Sequence, residues 1–177
     1  MSLPAAVAPI VLGFVTAQRL SELVIARRNT RRLLARGAFE LGAAHYPAIV
    51  LLHAAWLVGL WLLAWRRPPS LPWLVVYTAL EAARLWVLLT LGERWTTRII
   101  VLAGAPLVAR GPFRFLSHPN YAVVIAEIAV LPLTFGMPIY AAIFSVLNAA
   151  VLGVRVRAEE TGLRGEEVTQ TNPRRSP

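Results

Sequence analysis

Five apolar stretches constrain this chain more than any other feature of its sequence. The first three cover residues 3–26, 46–65 and 73–91, and two shorter ones follow at 119–135 and 138–154. A helix of about 20 residues crosses the apolar core of a bilayer, so each of the first three can span a membrane. At ~1.5 Å per residue, the last two reach about 25 Å each and predict a tight hairpin. The expected fold class is all-α, an integral membrane bundle of about five transmembrane helices.

Composition and length point to one membrane domain. Hydrophobic residues make up 57% of the 177 residues, whereas soluble domains contain roughly 45–50% even with glycine included. This length leaves room for one small bundle and no separate catalytic domain. We therefore predict a single transmembrane domain over 1–164 and a disordered tail over 165–177. The N-terminal stretch lacks the basic start and the cleavage signature of a signal peptide, which predicts a retained helix.

The arginines predict the orientation of the bundle. All eighteen basic residues are arginines; five follow the first apolar stretch, four lie between the third and fourth, and five follow the fifth. Two lie between the second and third stretches, and two lie within spans. Because cytoplasmic loops collect basic residues, the N-terminus is expected outside and the C-terminus in the cytoplasm. The net charge of +9 then indicates contact with anionic membrane lipid and no nucleic acid partner.

Five charged residues interrupt the apolar stretches. Arg19 and Glu22 are three residues apart, as are Glu81 and Arg84, so each pair shares a helix face and can form an ion pair. Glu127 lies nearly two turns into the fourth stretch. Charges at such depth are costly and mark either an internal pair or the wall of a ligand cavity. The sequence leaves both interpretations open for these residues.

Two polar blocks border the last apolar hairpin. Within 92–117, glycine and proline predict a cytoplasmic connector, with a short strand or interfacial piece at 98–102 and a turn at Gly111-Pro112. His118-Pro119 predicts an extended residue followed by a helix start, whose free N–H groups can bind an electron-rich group. The second block, at 155–160, returns to the same side of the membrane. Taken singly, its arginines and glutamates also fit ordinary solvated residues at a helix end.

Together these blocks resemble a known family. Gly-Pro-Phe-Arg-Phe at 111–115, His-Pro-Asn-Tyr at 118–121 and Arg-Val-Arg-Ala-Glu-Glu at 155–160 are similar to motifs of the isoprenylcysteine carboxyl methyltransferase superfamily. The resemblance implies S-adenosylmethionine as cofactor and a lipophilic acceptor that enters from the bilayer. Ser117 stands where the family commonly has arginine. The residues at 93–101 look more like a bacterial branch that O-methylates alkylpyrones, which implies location in a bacterial cytoplasmic membrane.

The resemblance also implies roles for individual residues. The cofactor pocket would face the cytoplasm and be lined by residues of both blocks: His118, Pro119, Tyr121, Glu159, Glu160, Gly111 and Arg114. Arg155 would orient an anionic oxygen of the acceptor, since Arg157 points about 200° away on the same helix. Glu127 could be a base toward an acidic hydroxyl. A structural pairing of Glu127 with Arg19 or Arg84 is favoured, because an acidic enol loses its proton easily.

Several alternatives remain open at this stage. The charged residues of the first and third spans, Arg19, Glu22, Glu81 and Arg84, could contact the acceptor or only pair with one another. The chain could instead be a phospholipid N-methyltransferase of similar build, or a non-enzymatic lipid-binding membrane protein. Cysteine is absent, and the three histidines lack a zinc-binding spacing, so no metal is expected.

Overall fold

A computed structural model describes residues 1–43, 46–106 and 108–171, with side chains described as far as Arg157. The described residues form five α-helices and two short 3-10 helices, Gly92–Arg94 and Gly111–Arg114, which confirms the all-α prediction. The α-helices are α1 (Val7–Ala35), α2 (Tyr46–Ala64), α3 (Leu71–Leu91), α4 (Pro119–Thr134) and α5 (Pro138–Thr171). The last helix extends into the segment predicted as a tail, while 172–177 lie outside the described residues. The disordered tail at 165–177 therefore stays a prediction.

Four of these helices are long and apolar enough to cross a membrane: α1, α2, Leu71–Arg94 around α3, and Pro138–Arg157 within α5. The chain is therefore an integral membrane protein. Helix α4 has only 16 residues and packs between α3 and α5. Half of its residues are buried, including Glu127 and Pro132. Because protein rather than lipid surrounds much of α4, this helix does not have to match the bilayer thickness by itself.

Backbone hydrogen bonds tie three segments together at one face of the bundle. The N–H of Leu3 donates to the carbonyl of Pro69 at 2.8 Å, and the N–H of Ser70 donates to the carbonyl of Thr134, also at 2.8 Å. The chain start, the α2–α3 loop and the end of α4 therefore share this face. The arginine-rich end of α1 and the 92–117 connector lie at the opposite face, here called the inner face. Its location in the cytoplasm stays a prediction.

A two-stranded antiparallel sheet closes the inner face. Strand β2 (Ile99–Val101) confirms the strand predicted at 98–102, and it pairs with β1 (Phe39–Leu41), which the sequence did not indicate. Arg98 donates to a carboxylate oxygen of Glu40 at 2.8 Å. This hydrogen bond raises the pKa of Arg98. This two-stranded sheet holds the α1–α2 loop against the connector.

The apolar core fills the half of the bundle away from the inner face. It includes Leu12 of α1, Trp56 and Leu60 of α2, and Leu131 of α4, all almost completely buried. The hydroxyl of Tyr140 donates to the carbonyl of Trp56 at 2.8 Å. A side chain at Gly59 would lie 2.3 Å from this hydroxyl, so glycine permits the close approach of α2 and α5.

Candidate functional site

A cavity of about 290 Å³ lies between the apolar core and the inner face. All five helices and the segment Trp95–Thr97 line it, and most of the lining is apolar. Such a cavity suits a lipophilic ligand whose position is set by a few polar groups. These polar groups come from every helix and include Arg19, Glu22, His53, Arg84, Tyr121, Asn148 and Arg155.

A buried network of ion pairs borders the cavity, and three of its four members, Arg19, Glu22 and Arg84, line it. Arg84 binds both carboxylate oxygens of Glu22 at 2.6 Å and one oxygen of Glu127 at 2.8 Å. The same oxygen of Glu127 accepts a 2.7 Å hydrogen bond from Arg19, which also lies 3.5 Å from Glu22. The predicted Arg19–Glu22 pair is confirmed, and Glu127 contacts both arginines. Two guanidinium groups and two carboxylates thus join α1, α3 and α4 with no net charge.

The predicted pair between Glu81 and Arg84 is not formed among the described residues. Arg84 is buried and faces α1 and α4, where two carboxylates offer charge-assisted and partly bidentate hydrogen bonds. Glu81 instead accepts a short hydrogen bond from Gln18. The described lining of the cavity includes Arg84 but neither Glu81 nor Glu127. Spacing along one helix therefore identified residues that can meet, while the facing helices decided which ones do.

The end of the cavity nearest the inner face is organised around Tyr121 and Arg155. Arg155 donates through Nε to the hydroxyl of Tyr121 at 2.9 Å and through Nη1 to the carbonyl of Thr97 at 2.8 Å. The ring of Tyr121 is stacked on that of His118, with centroids 5.0 Å apart and planes 10° apart. His118 precedes α4, which begins at Pro119 as predicted. The two sequence blocks therefore meet in space.

Four predicted cofactor residues lie outside the described lining: His118, which is exposed, and also Gly111, Arg114 and Pro119. Gly111 has a φ of +58°, and a Cβ there would come 2.6 Å from Oγ1 of Thr90, so glycine lets the connector pack against α3. The guanidinium of Arg114 is exposed and lies 6.0 Å from the ring of Phe115. Pro119 is buried in the first turn of α4. The side chains of the remaining two, Glu159 and Glu160, lie outside the described residues.

Sequence reasoning missed several polar residues of the cavity. His53 lies within the apolar helix α2, Asn148 lies three residues after Ser145 in the apolar part of α5, and Asn120 lies inside the His-Pro-Asn-Tyr block. Trp95 is buried, and its carbonyl accepts a hydrogen bond from Asn29 of α1 at 2.9 Å. Isolated polar side chains within a span are themselves a functional signal. That signal would have identified His53 and Asn148.

The fold and the cavity define an integral membrane protein with an internal, largely apolar binding site. The family model of isoprenylcysteine carboxyl methyltransferase matches residues 73–165, from α3 into α5. The chain belongs to the isoprenylcysteine carboxyl methyltransferase family, a family of membrane methyltransferases. The matched region contains Arg84, Tyr121 and Arg155, whereas α1 and α2 lie before it.

Two curated bacterial proteins are similar over most of their length. The uncharacterized protein YpbQ of Bacillus subtilis is 37% identical over 160 residues, which cover 88% of this chain and 95% of YpbQ. An uncharacterized protein of Haemophilus influenzae is 25% identical over 168 residues, which cover 87% of this chain and 93% of that protein. No solved structure matches the chain.

Proposed function

We propose that the protein transfers a methyl group from S-adenosylmethionine to an oxygen of a lipophilic acceptor, such as an alkylpyrone or a prenylcysteine-like molecule. The observation that carries this proposal is the shared cavity. Tyr121 and Arg155, from the two family motifs, line the same space as apolar residues of α1 and α2. Polar cofactor contacts and apolar acceptor contacts are thus available within one site. We further propose that this site faces the cytoplasm of a bacterial membrane.

The residues near Tyr121 suit the cofactor. Oδ1 of Asn120 is buried and has no hydrogen-bond partner among the described residues, so it can accept from an ammonium or ribose hydroxyl. The aromatic faces of His118 and Tyr121 can lie against a positively charged sulfonium. Glu159 and Glu160 remain in the proposal as further carboxylate contacts, and Gly111 positions the connector. Bound S-adenosylmethionine would supply an already activated methyl group.

The protein's contribution to the reaction is then mainly alignment and exclusion of water. Arg155 is anchored by Tyr121 and Thr97, so the direction of its guanidinium is set before an acceptor arrives. The remaining N–H groups can bind an anionic acceptor oxygen and hold it toward the cofactor. The apolar walls supply affinity for the acceptor's hydrocarbon part.

The first test is methyl transfer by the purified protein in detergent, with labelled S-adenosylmethionine. The acceptor panel contains an alkylpyrone, a prenylcysteine and phosphatidylethanolamine. Labelling of either oxygen acceptor supports the proposal. Labelling of phosphatidylethanolamine alone would show a phospholipid N-methyltransferase, and no binding of S-adenosylhomocysteine by calorimetry would contradict methyltransferase activity of this kind.

The second test separates acceptor orientation from cofactor binding. Arg155→Leu should lower turnover by about 100-fold, which is the typical effect of removing one aligned hydrogen-bond donor. Its affinity for the cofactor should stay within a few-fold of the wild-type value. Arg155→Lys should recover only part of this loss, because an ammonium cannot reproduce a planar fork. Arg157→Leu is the matched control on the same helix and should retain turnover. His118→Ala should weaken cofactor binding; unchanged binding would remove His118 from the site.

A further inference from the structure

We propose that His53 of α2 accepts the proton of a hydroxyl acceptor, and that Asn148 of α5 binds the same oxygen. The acceptor is then a weakly acidic alcohol, enol or phenol rather than a carboxylate. This inference rests on the proposed methyl transfer and assigns roles to two residues that neither family motif contains.

The hydrogen bond made by His53 determines which of its nitrogens can act as a base. Nδ1 of His53 lies 2.8 Å from the carbonyl oxygen of Ile49, one turn earlier on α2. A carbonyl can only accept, so Nδ1 carries the proton of the neutral ring and Nε2 is left as an acceptor. His53 lines the cavity. Nε2 of His53 can therefore accept a hydrogen bond from the hydroxyl group of a ligand.

Asn148 supplies a complementary donor. Its side chain is only 3% exposed, it lines the same cavity, and its Nδ2 has no hydrogen-bond partner among the described residues. Leaving a buried amide without a hydrogen-bond partner is unfavourable. Nε of Arg19, Nε1 of Trp56 and Nε1 of Trp95, in the same lining, also have no hydrogen-bond partner among the described residues. The unpaired amide of Asn148 therefore points to a ligand oxygen.

The cavity wall beside His53 suits the hydrocarbon part of such an acceptor. Val50, one turn before His53, and Leu20 of α1 both line the cavity and are 42% and 58% exposed. An alkyl chain lying along these side chains would place its polar end near His53. Both helices precede the region matched by the family at 73–165. The first two helices thus set acceptor selection, while the matched region supplies the motif residues of the cofactor site.

The proposed step conserves atoms and charge. The acceptor O–H donates to Nε2 of His53, and the acceptor oxygen receives a hydrogen bond from Nδ2 of Asn148. As the new O–CH₃ bond forms, the S–CH₃ bond of a sulfonium methyl donor breaks, and its electron pair stays on sulfur. The O–H proton passes to His53 and is later released to water. A carboxylate arrives without a proton and needs no such base.

Three acceptors of different acidity test the role of His53. They are a long-chain alkylphenol, an alkylpyrone with an acidic enol, and a prenylcysteine carboxylate. General base catalysis contributes about 100-fold or more, so His53→Gln should reduce kcat by about 100-fold for the alkylphenol. The reduction should be smaller for the enol and absent for the carboxylate, with KM nearly unchanged. An equal loss of kcat for all three acceptors in His53→Gln would show a structural role. The proposal would be overturned if His53→Gln lost no activity, or if the wild-type protein methylated only the carboxylate.

Two further measurements do not depend on turnover. Nitrogen NMR of the histidine rings should show the Nδ1–H tautomer for His53, and added alkylphenol without cofactor should shift its Nε2 signal. Asn148→Ala should weaken alkylphenol binding roughly threefold to tenfold, the range for one hydrogen bond. Ser145→Ala, one turn earlier on α5 and outside the described lining, should bind normally. An Nε2–H tautomer of His53, or an Nε2 signal that alkylphenol does not shift, would contradict the assignment. If S-adenosylhomocysteine still bound in that case, the proposed methyltransferase function would stand.

Discussion

Substitution of Arg84 by methionine tests whether the buried charges act as one network. The guanidinium of Arg84 binds Glu22 through two hydrogen bonds of 2.6 Å and Glu127 through one of 2.8 Å. The side chains of Arg84 and Glu127 are 7% and 1% exposed. Methionine has a similar reach but no charge, so the variant would leave two buried carboxylates with Arg19 as their only charged partner in the network.

The expected loss is about 3–5 kcal/mol in the free energy of unfolding, the range for removing one member of a buried ion pair. The matched control is Arg32→Met. Arg32 lies 3.4 Å from Glu93, and the two side chains are 48% and 63% exposed. Exposed pairs contribute about 0–1 kcal/mol, so this control should unfold almost as the wild type does. Titration with denaturing detergent in mixed micelles measures both variants.

A second substitution is expected to restore part of the stability that Arg84→Met loses. Adding Glu22→Gln to Arg84→Met leaves one arginine and one carboxylate, Arg19 and Glu127, whose atoms lie 2.7 Å apart. The double variant should therefore be more stable than Arg84→Met alone, although it has lost another native side chain. Additive destabilisation, or a loss below about 1 kcal/mol for Arg84→Met itself, would refute the view that these charges depend on one another for burial.

Two further predictions concern the connector and the topology. Gly111→Ala should destabilise the protein by more than the ~1–2 kcal/mol of a left-handed backbone, because its Cβ would also contact Thr90. The control is Gly104→Ala, since Gly104 also has a positive φ but has open space around it. Equal losses of stability in thermal unfolding of the two variants would exclude the contact with Thr90. Reporter fusions at Pro68 and Pro177 should give outside and cytoplasmic signals, respectively; an outside signal at Pro177 would reverse the predicted orientation.

Local patterns in the sequence were sufficient for the helices and for the position of the two motifs. Hydrophobic length alone predicted the membrane bundle, because lipid requires helices that satisfy their own backbone hydrogen bonds. The start of α4 at Pro119 also followed from local chemistry, since proline is favoured in a first turn. The Arg19–Glu22 pair was also predictable from local sequence, because its members are three residues apart on one helix.

The tertiary structure decided the contacts between residues distant in sequence. Arg84 meets Glu22 across 62 residues, and Arg19 meets Glu127 across 108. Helical periodicity specifies which face a residue occupies but not which helix lies opposite, so it left open whether Glu81 and Arg84 pair, and Arg84 instead pairs with Glu22 and Glu127. The same limitation applies to the roles that we propose for His53 and Asn148. As polar residues within apolar spans they could be noticed in the sequence, but only the packing of α2 and α5 placed both on one cavity, because burial and an unsatisfied hydrogen bond are properties of the folded chain.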